Sequence, residues 1–310
     1  YTDSSCPALL LEPQRTNLLP HSEWIGGWSP VNDATIDGPQ EFTLGSTGAR
    51  FQAGTIGSPS GNFVFYAVFD SADIGKTIRL SYYDATAGGW NFGSDITIDS
   101  NGRAERLIST GSNVIGNVAF YGTSTSQSFT LKYCQFEAGS YATSYIPTYG
   151  SAVTRNQDDC ENTNLDLLSQ DAATYFLEST PIAIASNNIL EVRGNGSTND
   201  RLLMQTNSSG VLRILVRNSG STILDSNISS AVSAGTKIKV ALKYTSTNIS
   251  VFVDGVKKVD SDLSVNFGSP LDWINLEGTA TANNDALEHH QFLFFPTALT
   301  DQEAIDLTTI

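Results

Sequence analysis

Hydrophobic and polar residues alternate along most of the chain. In the first half the runs FVFYAVF, TIRLSYYDA, ITID, VAFYG and FTLKYCQFEAG place apolar side chains at about every second position, the period of a strand with one buried face. Clusters of Gly, Ser, Asn and Asp separate these runs and supply turns. The second half continues in ATYFLEST, NILEVRG, RLLMQT, VLRILVRN, KIKVALKYT, ISVFVDGVKKVD and HHQFLFFP, at the spacing of a sandwich or barrel. No β-α alternation is present, so the pattern predicts an all-β fold of antiparallel sheets.

Two local signals are sharper than the rest. Asp254-Gly255, between ISVFV and VKKV, predicts a two-residue hairpin with positive φ at both positions. Thr300 to Glu303 forms a capping box, in which each side chain satisfies the other's backbone N–H, and it predicts one short C-terminal helix. Alternation breaks down between Ser151 and Asn164, where polar residues accumulate. This places a boundary near residue 158 and predicts two tandem β-sandwiches, 1–158 and 159–310.

The length of 310 residues agrees with two domains. Only 16% of residues are charged, so Ser, Thr, Asn and Gly must cover the surface, a style common in secreted or particle-exposed proteins. The net charge of −15, with no cluster of Lys and Arg along the chain, disfavours nucleic acid and anionic membranes as partners. No run of 18 apolar residues marks a spanning helix, so membrane insertion is not expected. The opening at Tyr1 has no charged segment followed by an apolar one, so no signal peptide is expected, and the lack of an initiator Met suggests a processed chain or a piece of a longer one.

The cysteines Cys6, Cys134 and Cys160 do not fit a zinc-site spacing. Cys134 lies inside a strand-like run and reads as a small buried hydrophobe. Cys6 and Cys160 flank the first domain, which leaves a bridge between them open.

Two resemblances add to this pattern. LLLEPQRTNLLPHSEWIGGWS (Leu9–Ser29) and CQFEAGSYATSYIPTYGSAVTR (Cys134–Arg155) resemble a module of bacteriophage tail-fibre, tail-spike and minor structural proteins. The residues between these blocks resemble a carbohydrate-binding-module-like jelly roll. KIKVALKYTSTNISVFVDGVKKVD (Lys237–Asp260) and FLFFPTALTDQEAIDLTT (Phe292–Thr309) resemble the concanavalin A-like sandwich of laminin-G type. The resemblance implies a virion-surface protein that recognises a host cell-surface polysaccharide or glycan, sits among other virion structural proteins and forms a homo-oligomer, a trimer by analogy. It also makes calcium a conceivable cofactor, although no calcium-loop spacing is present. A structural spacer without its own ligand and a polysaccharide depolymerase are the alternatives.

Within the first signature, Leu9 to Leu11 read as a fully buried strand and Pro13 to Asn17 as a polar turn, with Asn17 structural and Arg15 suited to pair with Glu137. Sugar contact calls for aromatic faces that pack on pyranose C–H groups and for polar groups that meet hydroxyls. Trp90, in the Gly-rich stretch Asp84 to Gly93, is either such a platform or a cap on the core, and Asn91 beside it offers an amide. Tyr82 and Tyr83 are adjacent in a strand, so one faces the core and the other can line a groove. Trp28 is a further candidate, although EWIGGWS reads more readily as an end-plug in which Trp24 and Trp28 fill the jelly roll.

In the second half, Arg193, Asn195 and Asp200 belong to one polar loop that can hold hydroxyls, and Trp273 follows Asp272. Adjacent His289 and His290 must straddle a strand, which spoils them as a two-ligand metal site. The paired acids of a glucanase, E-x-D-x-x-E, are absent, and Glu191 and Glu277 are lone acids. No nucleophile elbow, P-loop, zincin or dinucleotide motif occurs either. The chain therefore reads as a non-enzyme that acts without a catalytic site.

Overall fold

A computed structural model describes residues 8–54, 56–57, 59–123, 126–163, 165, 168, 171–184, 186, 188–194, 197–229, 231–276 and 286–309. Its strands form antiparallel sheets, and among the described residues there is a single α-helix, Asp301–Thr308, near the C-terminal end. The sandwich class and the C-terminal helix therefore stand as the alternation and the capping box predict. Thr300 and Glu303 bond to each other's backbone as expected. Asp254 and Gly255 adopt φ of 47° and 74° between the paired strands Ile249–Val253 and Val256–Ser261, the primed turn that the Asp-Gly pair favours.

The chain divides into two compact units, one of them Gln14–Asn156 and the other built from the residues on both sides of it. The polar stretch around residue 158 marks one edge of this division, but the described residues up to Pro13 belong to the second unit. The cause is a strand pairing: Leu9–Leu11 lies antiparallel to the distant strand Leu287–Phe295. Leu11 is buried, whereas Leu9 and Leu10 are 46% and 36% exposed. Three consecutive leucines thus form a sheet edge rather than a fully buried strand. The expected polar turn is also a strand, because Arg15–Asn17 pairs with Val153–Arg155.

The first unit packs a five-stranded sheet, whose centre is Asn62–Phe69 beside Gln127–Ala138, against a second sheet built on Arg50–Gln52, Ile115–Tyr121 and Thr77–Asp84. Phe42, Phe51, Phe65, Phe69, Phe120 and Phe136 fill the space between them. A register shift between Leu131 and Tyr133 bulges the strand Gln127–Ala138. The bulge keeps Cys134 and Phe136 in the core and turns Gln135 and Glu137 to the opposite face. Cys134 is fully buried, as its setting predicts, and burial pushes its thiol pKa up.

Glu137 accepts from the backbone N–H and hydroxyl of Thr143, both at 2.7 Å. The expected ion pair with Arg15 is not formed among the described residues, since Thr143 takes both carboxylate oxygens and the Arg15 guanidinium lies over the Tyr141 ring. Cys160 is half-buried, and Cys6, its suggested partner, lies outside the described residues.

The second unit has a back sheet that includes Ala173–Pro181, Ile238–Tyr244 and Ile249–Val253, and a front sheet that includes Asn188–Arg193, Arg201–Thr206 and Leu212–Asn218. Tyr175, Leu177, Val192, Leu202, Val216 and Val240 are among the residues packed between them. The helix covers the outer side of the back sheet, where Ala304 packs on Phe176, Ala241 and Phe252. Asp301 at its first turn accepts from Lys243 and Lys257 and anchors it there.

Candidate functional site

The outer face of the second sheet in the first unit carries aromatic and cationic side chains. Strand alternation explains why: Phe51, Leu80, Tyr82, Val118 and Phe120 point into the core, so Arg50, Arg79, Tyr83 and Tyr121 point the other way. Register then brings these residues together. Arg50 pairs with Tyr121, Tyr121 with Arg79, and Tyr83 with Trp90 of the short strand Gly89–Asn91.

The rings meet edge to face. Trp90 lies 5.6 Å from Tyr83 and 5.3 Å from Tyr121, and Phe92 lies 4.9 Å from Tyr121. The Arg50 guanidinium sits 5.4 Å from the Trp90 ring and 5.5 Å from the Tyr121 ring, a cation–π arrangement. A cavity of about 280 Å³ opens against this cluster, lined by Asn32, Arg50, Arg79, Phe92 and Tyr121 among others. Phe92 is 45% exposed and forms an apolar wall.

The cavity contains fixed donors. Arg79 is oriented by Asp95 at 2.5 Å. Asn32, with φ of 57°, is pinned through its Nδ2 to the carbonyl of Gly48 at 2.8 Å. Burial raises the Tyr121 pKa, with Arg50 opposing in part, so the phenol stays protonated at neutral pH and can donate. The arrangement can pack the C–H face of a small polar ring and meet its hydroxyls, without a nucleophile or an acid–base pair.

The structure sorts the predicted residues of the first unit. Trp90 is half-buried on the outer face, not in the core cluster. It lies in a short strand rather than a free loop, because Gly89–Asn91 folds back on Thr77–Asp84. Tyr82 is buried in the core and Tyr83 faces outward, as the alternation predicts. Asn91 spends its amide within the protein: Nδ2 donates to the Tyr82 hydroxyl at 3.1 Å, and Oδ1 accepts from Arg106 at 2.5 Å. It braces the site rather than contacting a ligand.

Trp28 is only 3% exposed, stacks on Phe120 at 4.8 Å and donates its Nε1 to the carbonyl of His21. It is a core plug and drops out as a contact. Trp24, expected to share that role, is 50% exposed. Arg50, Arg79, Phe92, Tyr121 and Asn32 were not singled out by sequence; alternation marks Arg79 as sharing a face with Tyr83, but the cross-strand register is not readable from one chain.

In the second unit, Trp273 is 4% exposed and lies under Arg193, whose guanidinium is 4.0 Å from the ring centre. The indole itself is therefore not a platform. Asp200 is 2% exposed, and its carboxylate accepts from the backbone N–H groups of Ser219, Gly268 and Ser269 at 2.8, 3.0 and 2.9 Å. It holds two turns in place, which allows Ser219 its φ of 45°. With both carboxylate oxygens engaged by backbone N–H groups, Asp200 is removed as a ligand contact. Asn195 and Glu277 lie outside the described residues.

His289 and His290 straddle their strand as predicted. His289 is buried between the Ser179 hydroxyl at 2.7 Å and the Leu276 carbonyl at 2.8 Å. Desolvation lowers its pKa from 6.5 to about 4, so the folded unit holds a neutral imidazole. The unfolded chain binds the extra proton first, and stability present above pH 6.5 is lost as pH falls toward 4, by on the order of 3 kcal/mol. Comparing wild type with His289→Gln in urea at pH 7 and pH 4.5 should show this acid loss in wild type alone; equal loss in both would assign it to other groups.

No family model matches the chain, and no curated protein matches it. Among solved structures, the CBM40 module of Ruminococcus gnavus IT-sialidase bound to α2,3-sialyllactose is 18% identical, over 46% of this chain and 84% of that one, with a TM-score of 0.37. The leech intramolecular trans-sialidase is 15% identical over 49% of this chain and 28% of its own, also at 0.37. A SAP-like pentraxin from Limulus polyphemus is 12% identical over 46% of this chain and 73% of its own, at 0.34. Each is a partial likeness, and the sugars in those names belong to those proteins.

Proposed function

We propose that the chain is a non-catalytic glycan-binding protein of a bacteriophage virion surface, acting as an adhesin for host polysaccharide. The observation that carries this reading is the cavity of about 280 Å³ between Tyr121, Phe92 and two arginines, beside the half-buried Trp90. Apolar walls with a few convergent donors suit a sugar ring. The virion setting, with other structural proteins as neighbours and a trimeric assembly, rests on the resemblance of Leu9–Ser29 and Cys134–Arg155 to tail-fibre modules.

A spacer without a ligand would be served by four buried tryptophans, yet Trp24 and Trp90 reach the surface. A glycan array on the intact chain tests the reading, and release of reducing ends would reveal a depolymerase instead. On the glycan so found, Trp90→Ala is expected to weaken binding by about 1 to 3 kcal/mol, the loss of an aromatic contact. The melting temperature should change little, because the ring is outside the core cluster. Unchanged affinity would remove this face as the site.

A further inference from the structure

The front sheet of the second unit carries an ordered row of side chains on the face turned away from its core. Val192, Leu202 and Val216 point inward, so their neighbours Arg193, Arg201 and Arg217 point outward. Register aligns them across adjacent strands: Trp273 opposite Arg193, Arg193 opposite Arg201, Arg201 opposite Arg217, and Arg217 opposite Thr222. With strands about 4.8 Å apart, three arginines span roughly 10 Å.

Like charges directly opposite one another destabilise a sheet. Among the described residues, Glu191 is the only carboxylate paired with Arg193 and Arg201, at 3.7 and 2.8 Å. Glu191 is 1% exposed, and Arg217 donates to the carbonyls of Gly220 and Thr198 rather than to an acid. Arg213, four residues before Arg217 on the same strand, is neutralised by Asp225 at 2.7 Å. The row therefore keeps an excess of two positive charges in a chain whose net charge is −15.

The Nε–H groups of Arg193, Arg201 and Arg217 are buried without an aligned acceptor. Desolvation lowers the Arg201 pKa, with Arg193 and Arg217 adding to the effect and Glu191 opposing it, which shows how closely the charges are held. Stacking on Trp273 keeps the Arg193 plane fixed. Rigid guanidinium forks are matched to a planar carboxylate.

We infer that the row Arg193, Arg201 and Arg217 is a second binding site, specific for a pyranose that bears a carboxylate, such as a uronic acid unit of an acidic polysaccharide. A carboxylate takes up one of the two excess charges through a pair of parallel N–H donors, whereas a nucleic-acid backbone, with a phosphate at every step, is disfavoured by the net charge of −15. The sugar in this inference rests on the reading of the chain as a glycan binder; the anion site rests on the row itself.

The test is calorimetric titration of the full chain with an oligomer of glucuronic acid, with a neutral glucose oligomer of the same length, and with inorganic phosphate. Only the acidic oligomer is expected to bind at the row, more weakly as salt rises. Arg217→Gln should weaken it about ten- to a hundredfold, and Arg217→Lys, which keeps the charge but loses the fork, should fall between. Arg217 is chosen because Glu191 keeps Arg201 when it is removed. Trp90→Ala should leave acidic-oligomer binding unchanged, so failure at the row and failure at the Trp90 face read out separately. Wild-type affinity in Arg217→Gln, neutral-oligomer binding that Arg217→Gln weakens as much as acidic-oligomer binding, or phosphate binding as tightly as the sugar would each overturn the inference. Equal loss of affinity in Arg217→Gln and Arg217→Lys, with melting temperatures lowered alike, would assign Arg217 to the fold and overturn it too.

Discussion

Asn17→Ala is expected to destabilise the first sandwich by about 3 to 5 kcal/mol, near the top of the range for a single substitution. Asn17 is fully buried, and its amide ties together segments far apart in sequence. Nδ2 donates to the carbonyl of Ile146 at 2.8 Å and to that of Cys134 at 3.4 Å. Oδ1 accepts from the N–H groups of Leu19 and Phe136, both at 3.2 Å. Alanine would leave two N–H groups and two carbonyls buried without these partners, at about 1 to 3 kcal/mol for each group that finds no other.

Neighbouring side chains repeat the device, since Gln135 Oε1 accepts from Ile146 N at 2.7 Å and Ser22 Oγ accepts from Thr148 N at 2.8 Å. The residue pattern shared by the two signature blocks is thus a buried latch, which explains why polar residues sit beside leucines there. Urea unfolding of Asn17→Ala is the measurement. A loss below about 1 kcal/mol would mean that water or relaxation satisfies those groups and that the latch is not what holds the blocks together.

Much of the fold was legible because it depends on local rules. Alternation in TIRLSYYD sends Leu80 and Tyr82 inward and Arg79 and Tyr83 outward, the Asp254-Gly255 pair sets its own turn, and Thr300 with Glu303 caps the helix. The site was legible only in fragments. Trp90 could be named from its glycine neighbours, but its contacts with Tyr121 and Arg50 depend on the pairing of Thr77–Asp84, Ile115–Tyr121 and Arg50–Gln52, and register across strands separated by tens of residues leaves no local trace.

Arg193, Arg201 and Arg217 show the same limit, since their alignment exists only once three strands are paired. Trp28 and Trp273 failed as contacts for another reason. A tryptophan beside glycine or aspartate reads alike whether its ring is buried or exposed, and both rings are buried.

Cutting the chain at the sequence boundary should give unequal fragments. Gln14–Asn156 is expected to fold by itself, because its terminal strands Arg15–Asn17 and Val153–Arg155 pair with each other and its aromatic core is complete within those limits. It should unfold cooperatively. A fragment of residues 159–310 lacks Leu9–Leu11, whose register with Leu287, Glu288 and His289 covers the edge of the back sheet. Removing that strand strips away the buried Leu11 and leaves the backbone groups of Leu287 to His289 unpaired on that edge, a template for another chain.

The fragment should therefore bind hydrophobic dye or associate, with a loss on the order of 2 to 5 kcal/mol from the leucine side chain and the lost pairing. Joining residues 8–13 to 157–310 through a short Gly-Ser linker should restore a monomeric, cooperative unit, because Glu12 and Asp158 already exchange backbone and side-chain hydrogen bonds at 2.9 and 3.0 Å. Size-exclusion chromatography and thermal melting of the two versions decide the matter. If residues 159–310 alone are monomeric and melt like the rejoined unit, the N-terminal strand is a passive edge, and the boundary near residue 158 is sufficient by itself.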